Sequence, residues 1–462
     1  MTSDEYFSLG KKSDRIGHEM FQLMEELFPI CRSITGNGVR QTLNIIKKFI
    51  PIETIEIPSG TIVFDWTIPK EWNISDAYVT DPNGEKIIDF QKSNLHVLNY
   101  SIPVNKKIPL VELKKHIHTI PKKPDVIPYV TSYYSENWGF CMSHSQLLSL
   151  KEGDYQVVID SSLTKGHLTY GEFLIPGKNQ EEILLTCYVC HPSMCNDNLS
   201  GIVLLTFLAQ YLKNYKLNYS IRFLFVPETI GAITWIQKNE QKLSKIKHGL
   251  VATCVGDSGN FTYKKSRKGN YEIDTTVETI LKNSNNEFLI SEFFPWGSDE
   301  RQFCSPGFDL PVGSLMRSMY GTDNFPEYHT SGDNLSFVNE KSLQGSLEMY
   351  LKIIFELDKN YSKSEKGEIK KENERKNNSK YYKNLNPKCE PQLIKRQIHR
   401  KLGGQKNSFD ERKEEHAMFW VLNLSDGNNS VADIIQKSNL DEEIISNAIT
   451  ILVDCNLLKQ IS

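Results

Sequence analysis

The spacing of apolar positions changes along the chain, and each change marks a boundary. Ile16, Met20, Phe21, Leu23, Met24, Leu27 and Phe28 recur with the period of a helix. A second helix is predicted over 39–50. From about residue 57 to 162 the apolar runs shorten and alternate, as in Ile62-Val63-Phe64-Asp65-Trp66 and Lys86-Ile87-Ile88-Asp89-Phe90. Turn signals such as Asp81-Pro82-Asn83-Gly84 separate them, a texture that predicts a small β-rich domain inserted into a larger one. From Gly166 onward, strand-like runs at 170–174, 183–189, 221–226, 249–255 and 312–316 alternate with helical runs such as 201–212 and 230–239, and a closing helix is predicted over 341–357. Such alternation implies a mainly parallel sheet with helices on both faces. Residues 362–383 hold almost nothing apolar and read as a linker or an exposed helix. Helix-like segments at 416–424, 431–436 and 442–453 then precede a strand-like end, with Ser430 and Asp441 placed as N-caps. Three short helices and a terminal strand suggest a winged helix.

The fold class is therefore α/β. Its expected parts are N-terminal helices (1–55), an inserted β-rich domain (56–162), a core (163–361), a linker (362–383) and a winged-helix domain (384–462).

Composition adds limits. A chain of 462 residues suits two or three domains. With 39% hydrophobic residues, 24% charged residues and a formal net charge of −3, it has no global pull toward nucleic acid or an acidic membrane. No apolar run reaches membrane-spanning length. Met1-Thr2-Ser3-Asp4-Glu5-Tyr6 lacks the basic and apolar regions of a signal peptide. The nine cysteines form no framework, and Cys187, Cys254 and Cys455 sit in apolar runs. They read as reduced thiols of a cytoplasmic protein.

Candidate chemistry collects at the ends of the strand-like runs. His191 and Asp197 follow the run 183–189, Glu228 ends the stretch 222–228, Asp257 follows 249–255, and His329 follows 312–316. In a parallel sheet these ends open at one edge, so distant residues converge there. Imidazoles and carboxylates suit zinc, which takes about three protein ligands and an open position. Each residue also has a plainer reading. Asp197 can cap the following helix, Glu228 can favour a helix dipole, and Asp257 can occupy an ordinary turn. Cys187-x-x-Cys190 resembles half of a structural zinc site but lacks a second pair at finger spacing. Arg32 and Arg40 present a substrate-anion site or intrachain ion pairs, and Tyr133, Tyr134 and Trp138 present cleft walls or core. The predicted helix 442–453 begins with acids and carries no Lys or Arg, which disfavours a nucleic-acid partner and leaves protein contact or homo-oligomerisation.

The segment His191…Asn196-Asp197-Asn198-Leu199-Ser200-Gly201 resembles the metal loop of the co-catalytic zinc aminopeptidases of clan MH. Tyr328-His329-Thr330-Ser331-Gly332-Asp333 and Gly297-Ser298-Asp299-Glu300-Arg301-Gln302-Phe303 are similar to later segments of that family. Pro29-Ile30-Cys31-Arg32-Ser33-Ile34-Thr35-Gly36, Trp138-Gly139-Phe140-Cys141 and Pro387-Lys388-Cys389-Glu390-Pro391-Gln392-Leu393 resemble an aminopeptidase-like subgroup with an inserted β domain and a C-terminal winged helix, often labelled polysaccharide-biosynthesis proteins. The resemblance implies a zinc-exopeptidase-like mixed sheet flanked by helices. It implies one or two zinc ions, with His191, Asp197 and Asp257 filling one site and Asp197 with His329 left for a second. Glu228 takes the place of the family's general base, whereas Thr229 stands where a second glutamate normally ligates metal. The expected activity is metal-assisted amide hydrolysis of a peptide or small amide, with no membrane partner. Two other readings stay open: an amide or acyl hydrolase acting on a sugar-linked or modified metabolite, and a binding or regulatory protein with a degenerate site and a working winged helix.

Overall fold

The computed structural model describes residues 15–284, 286–361, 379–399, 402–404 and 412–461. Its centre is one eight-stranded sheet built from β1 (Glu53–Pro58), β2 (His167–Ile175), β3 (Glu182–Tyr188), β4 (Ser220–Val226), β5 (Ile246–Ala252), β6 (Phe261–Lys264), β7 (Phe288–Ser291) and β8 (Val312–Met316). The order is β1-β2-β4-β3-β5-β8-β6-β7. The pairs β4–β3, β3–β5, β5–β8 and β6–β7 are parallel, and the others are antiparallel. The sheet is thus mixed rather than mainly parallel. Its four-strand parallel centre is the part whose alternation was visible in sequence. The short strands β6 and β7, and the edge strand β1, carry too few apolar residues to stand out by spacing.

β3 shows why the centre forms. All seven of its residues are buried. Ile183, Leu185 and Cys187 face one apolar cluster, while Leu184 and Tyr188 face another. A strand covered on both faces has to be apolar at successive positions. On the first face lie α1 (Ile16–Leu27), α2 (Asn37–Ile46), α3 (Ser200–Leu212) and, after α4 (Ile230–Lys238) and α5 (Glu272–Lys282), the long α6 (Glu340–Lys359). The helix α3 is buried almost all round because α1 and α6 pack over it. Gly17 of α1 permits that approach, since a Cβ there would stand 2.4 Å from the Glu340 carbonyl oxygen. The second face carries α4 and the inserted domain, a four-stranded sheet with Glu71–Thr80 and Asp154–Thr164 at its centre.

The C-terminal module contains α7 (Lys413–Leu424), α8 (Val431–Ser438) and α9 (Glu442–Asp454) around the strand order Asp426–Ser430, Tyr381–Asn384, Leu458–Gln460. Ser430 and Asp433 form a capping box at α8, whereas the Asp441 side chain makes no cap hydrogen bond at α9. The strand Tyr381–Asn384 begins inside the span expected to be a linker. It belongs to the module because it pairs on both sides. The rest of that span, 362–378, lies outside the described residues.

Between this strand and α7 the chain returns across the main body. The Trp66 indole donates to the Glu390 carbonyl (2.8 Å). Asp65 accepts from the Gln392 backbone (2.8 Å) and from Arg396 (2.6 Å). Gly403 and Thr131 exchange two backbone hydrogen bonds (3.1 and 2.9 Å). Among the described residues, no helix is long and apolar enough to cross a membrane.

Candidate metal centre

The loop from β3 to α3 is held from several sides. The buried Arg32 donates to the backbone carbonyls of His191 (2.8 Å), Pro192 (3.3 Å) and Leu27 (2.7 Å). This guanidinium is a clamp and not an anion receptor. Arg40 is likewise committed, to Glu56 (2.6 Å) and Glu71 (2.7 Å). From the far side, the Asp333 carboxylate accepts the backbone N–H of Asn196 (2.6 Å) and Asp197 (2.9 Å). The Asn196 side chain donates to Asp257 (2.8 Å) and accepts from Gly256 N (2.9 Å). The loop thereby aims Asp197, which is 1% exposed, inward.

There Asp197 meets two histidines. Its Oδ2 lies 3.0 Å from His329 Nε2 and 3.9 Å from His191 Nε2, and one donor atom of each residue lies within 4.8 Å of the others. The remaining valences are already used. The Tyr188 hydroxyl donates to Asp197 Oδ1. His329 Nδ1 lies 2.5 Å from the Gly404 carbonyl. A carbonyl only accepts, so Nδ1 carries a proton and Nε2 is the ring nitrogen turned toward Asp197. Asp197 Oδ2 and His329 Nε2 are both buried with no hydrogen-bond partner among the described residues. A proton shared between the two atoms, or a metal ion held by both, satisfies this contact. Two imidazole nitrogens and a carboxylate oxygen fit zinc, whose tetrahedral ligands at roughly 2.0–2.2 Å stand about 3.3 Å apart. The Tyr129 ring packs against both imidazoles, with centroids 5.2 Å from each. Burial holds His191 neutral by lowering its pKa to about 4, against the pull of Asp197. Burial alone would raise Asp197, but the two histidines and Tyr188 outweigh it and leave it lowered.

Glu228 stands beside this cluster, its Oε2 3.9 Å from His191 Nε2 and its side chain 26% exposed. Its backbone N–H reaches the Cys190 thiol (3.3 Å), and Cys190, His191 and Glu228 form a second group with metal-binding atoms. Thr229 follows at φ +63°, an unusual conformation for a β-branched residue. Two contacts hold it there: its N–H donates to Asp299 (2.7 Å), and its hydroxyl accepts from Arg301 (2.8 Å). Arg301 in turn pairs with Glu390 of the returning segment (2.8 Å). Burial and the nearby Asp299 charge push the Glu228 carboxyl upward.

Of the residues singled out in sequence, the structure brings together His191, Asp197, His329 and Glu228. Asp257 is not among them. Its carboxylate is occupied by Asn196, the Ser318 hydroxyl (2.6 Å) and the Gly259 N–H (2.6 Å). Among the described residues two groups bring donor atoms together, His191 with Asp197 and His329, and His191 with Cys190 and Glu228; Asp257 stands in neither. Tyr133 and Tyr134 line the cleft, whereas Trp138 stacks on His116 at 3.5 Å in the inserted domain. Cys187 is sealed in the core. Sequence reasoning missed Gly404, Arg412 and the roles of Arg301 and Glu390, because their only signal is long-range contact.

The cluster opens into a cavity of about 470 Å³. Its walls come from three parts of the chain: Trp66, Tyr129 and Tyr133 of the insertion, Trp296 and Tyr328 of the core, and Arg412 and Phe419 at α7. Trp296 stacks on His416 of α7 at 3.9 Å, so the winged helix is seated on the cavity rim.

Such a mixed sheet with its flanking helices is an aminopeptidase-like fold. The zinc aminopeptidase BSAP from Bacillus subtilis superimposes with a TM-score of 0.55 at 13% identity, covering 74% of this chain and 94% of that one. The chain belongs to the family described as a domain of unknown function, DUF4910, which it matches over residues 21–360. A winged helix-turn-helix family matches residues 380–460. A Clostridium acetobutylicum protein, provisionally named a polysaccharide biosynthesis protein with an aminopeptidase-like domain, is 55% identical over 449 residues, which is 97% of this chain and 98% of the relative. A crystal structure of a protein from Clostridium acetobutylicum, provisionally called a peptidase, superimposes with a TM-score of 0.74 at 52% identity, covering 99% of this chain and 100% of that one.

Proposed function

We propose that this protein is a zinc-dependent, aminopeptidase-like hydrolase that cleaves an amide bond, with His191, Asp197 and His329 as metal ligands and Glu228 as general base. The carrying observation is the buried convergence of donor atoms of His191, Asp197 and His329 beside Glu228 at the head of a cavity. The names of the relatives from Bacillus subtilis and Clostridium acetobutylicum support the reading.

Zinc held there supplies Lewis acidity, polarising a scissile carbonyl and easing the ionisation of water. Glu228 accepts the proton of the attacking water on its carboxylate and returns it to the leaving nitrogen. Its raised proton affinity suits the second transfer. Arg301 and Asp299 hold Thr229, and with it the turn that presents Glu228. Tyr188 and Gly404 keep the Asp197 carboxylate and the His329 ring in orientation, as outer partners of metal ligands commonly do.

One observation favours a second substrate reading, an amide on a sugar-linked metabolite. The walls carry Trp66, Tyr133, Tyr134, Trp296 and Phe419, flat faces suited to a ring, and the Clostridium acetobutylicum relative is named for polysaccharide biosynthesis. The test of the main reading is zinc content together with hydrolysis of leucyl-anilide and of its N-acetyl derivative, on wild type and on His191→Ala. Zinc and turnover lost together in the variant are expected. Zinc-free wild type after reconstitution would end the proposal.

A further inference from the structure

Among the described residues, the charges lining the cavity are matched with one exception. Arg301 pairs with Glu390 (2.8 Å), and His399 pairs with Glu415 (2.6 Å). Glu228 is committed to proton transfer. Among the described residues, no other carboxylate on the wall is left to receive a substrate ammonium, the group by which a free amino terminus would be recognised. Arg412 is the exception of opposite sign. It lines the cavity at the start of α7, its Nε is buried, and that atom has no hydrogen-bond partner among the described residues. The Tyr328 ring stacks on His329 with centroids 3.8 Å apart, and both line the same cavity as this cation. A guanidinium whose buried N–H lacks an acceptor is completed by an anion.

We propose that the cavity takes an N-acylated substrate bearing an anionic group, a carboxylate or a phosphate, which Arg412 engages while the amide lies against Glu228. Which bond is cut rests on the hydrolase reading above. The anion site itself stands on charge matching and is tested by binding alone.

The experiment is calorimetric titration of zinc-loaded, full-length protein carrying Glu228→Gln, so that no probe is consumed. Two probe pairs separate the sources of the anion: N-acetylglucosamine 6-phosphate against N-acetylglucosamine, and N-acetylglutamate against its diamide. In one pair the charged member should bind about tenfold or more tightly than its uncharged partner, as charge-assisted bonds to Arg imply. The pair that shows the gap names the anion. Adding Arg412→Gln should shrink the ratio toward one, and Arg412→Lys should retain part of it. If the Gln variant fails to retain zinc, Arg412→Met is read in its place. Equal affinity within both pairs, binding by no probe, or a ratio untouched by the Arg412 variants overturns the proposal. Wild-type turnover is scored separately: selective binding without amide cleavage would retire the hydrolase reading and leave the anion site standing.

Discussion

His329 Nδ1 and the Gly404 carbonyl oxygen lie 2.5 Å apart, although 75 residues separate them in sequence. A segment entering the C-terminal module thus fixes the tautomer of a candidate metal ligand in the core. Gly404 sits at φ +84°, and a Cβ there would stand 2.5 Å from the Tyr129 carbonyl oxygen. Gly404→Val should displace the carbonyl and weaken zinc binding by about 10- to 100-fold, the usual effect of losing an outer partner. Chelator competition measures this, and an unchanged affinity would show the contact to be idle.

Replacing Glu228 by Gln keeps the shape of the side chain and removes its basicity. The expected result is a fall in kcat of about 10²- to 10⁴-fold with zinc stoichiometry retained. Elemental analysis beside the amide assay separates this from loss of the metal. Substantial residual turnover would assign the proton transfer to another group.

Asp197 and Asp257 distinguish two ways of dividing the ligands. Asp197→Asn should lose zinc, since its Oδ2 is the oxygen donor of the cluster. Asp257→Asn should keep it, because that carboxylate serves Asn196, Ser318 and Gly259. Zinc lost equally from both variants would restore Asp257 to the ligand set.

His248, far from the cavity wall, sets a pH dependence of stability. It is buried, with Nε2 3.1 Å from the Tyr219 hydroxyl, and burial lowers its pKa to about 3. The unfolded residue titrates near about 6.5. Between these values the unfolded chain binds a proton that the folded chain does not. Stability is therefore lost as pH falls through this window, at up to about 1.4 kcal/mol per unit. His248→Gln should make the decline between pH 6 and pH 4 shallower by about one proton, read from denaturant midpoints. A parallel decline in the variant would locate the titration elsewhere.

The winged helix should not shift duplex DNA. α9 opens with Glu442 and Glu443 and carries no basic residue, and α7 is seated on the cavity rim. A mobility-shift titration of the whole protein at low salt checks this. A salt-sensitive shift at micromolar protein would reverse it.

How much was legible in sequence depended on range. β3 and α3 were readable because their burial is complete and local spacing records it. His191, Asp197, Glu228 and His329 were readable because strand ends share an edge, and the resemblance to a known loop reinforced the placement. Asp257 shares that edge, yet its carboxylate bonds Asn196 and Ser318, and one-dimensional spacing holds no record of such competition. β6 and β7 are four residues each and leave no period to detect. Gly404, Arg301 and Glu390 act only through partners distant in sequence.

The reach of Gly404 back to His329 also sets an order of events during synthesis. A chain leaving the ribosome folds its earlier segments first. The sheet edge, its histidines and its aspartate are all translated before the carbonyl that orients His329. The nascent protein therefore carries an unfinished centre until the segment leading into α7 has emerged.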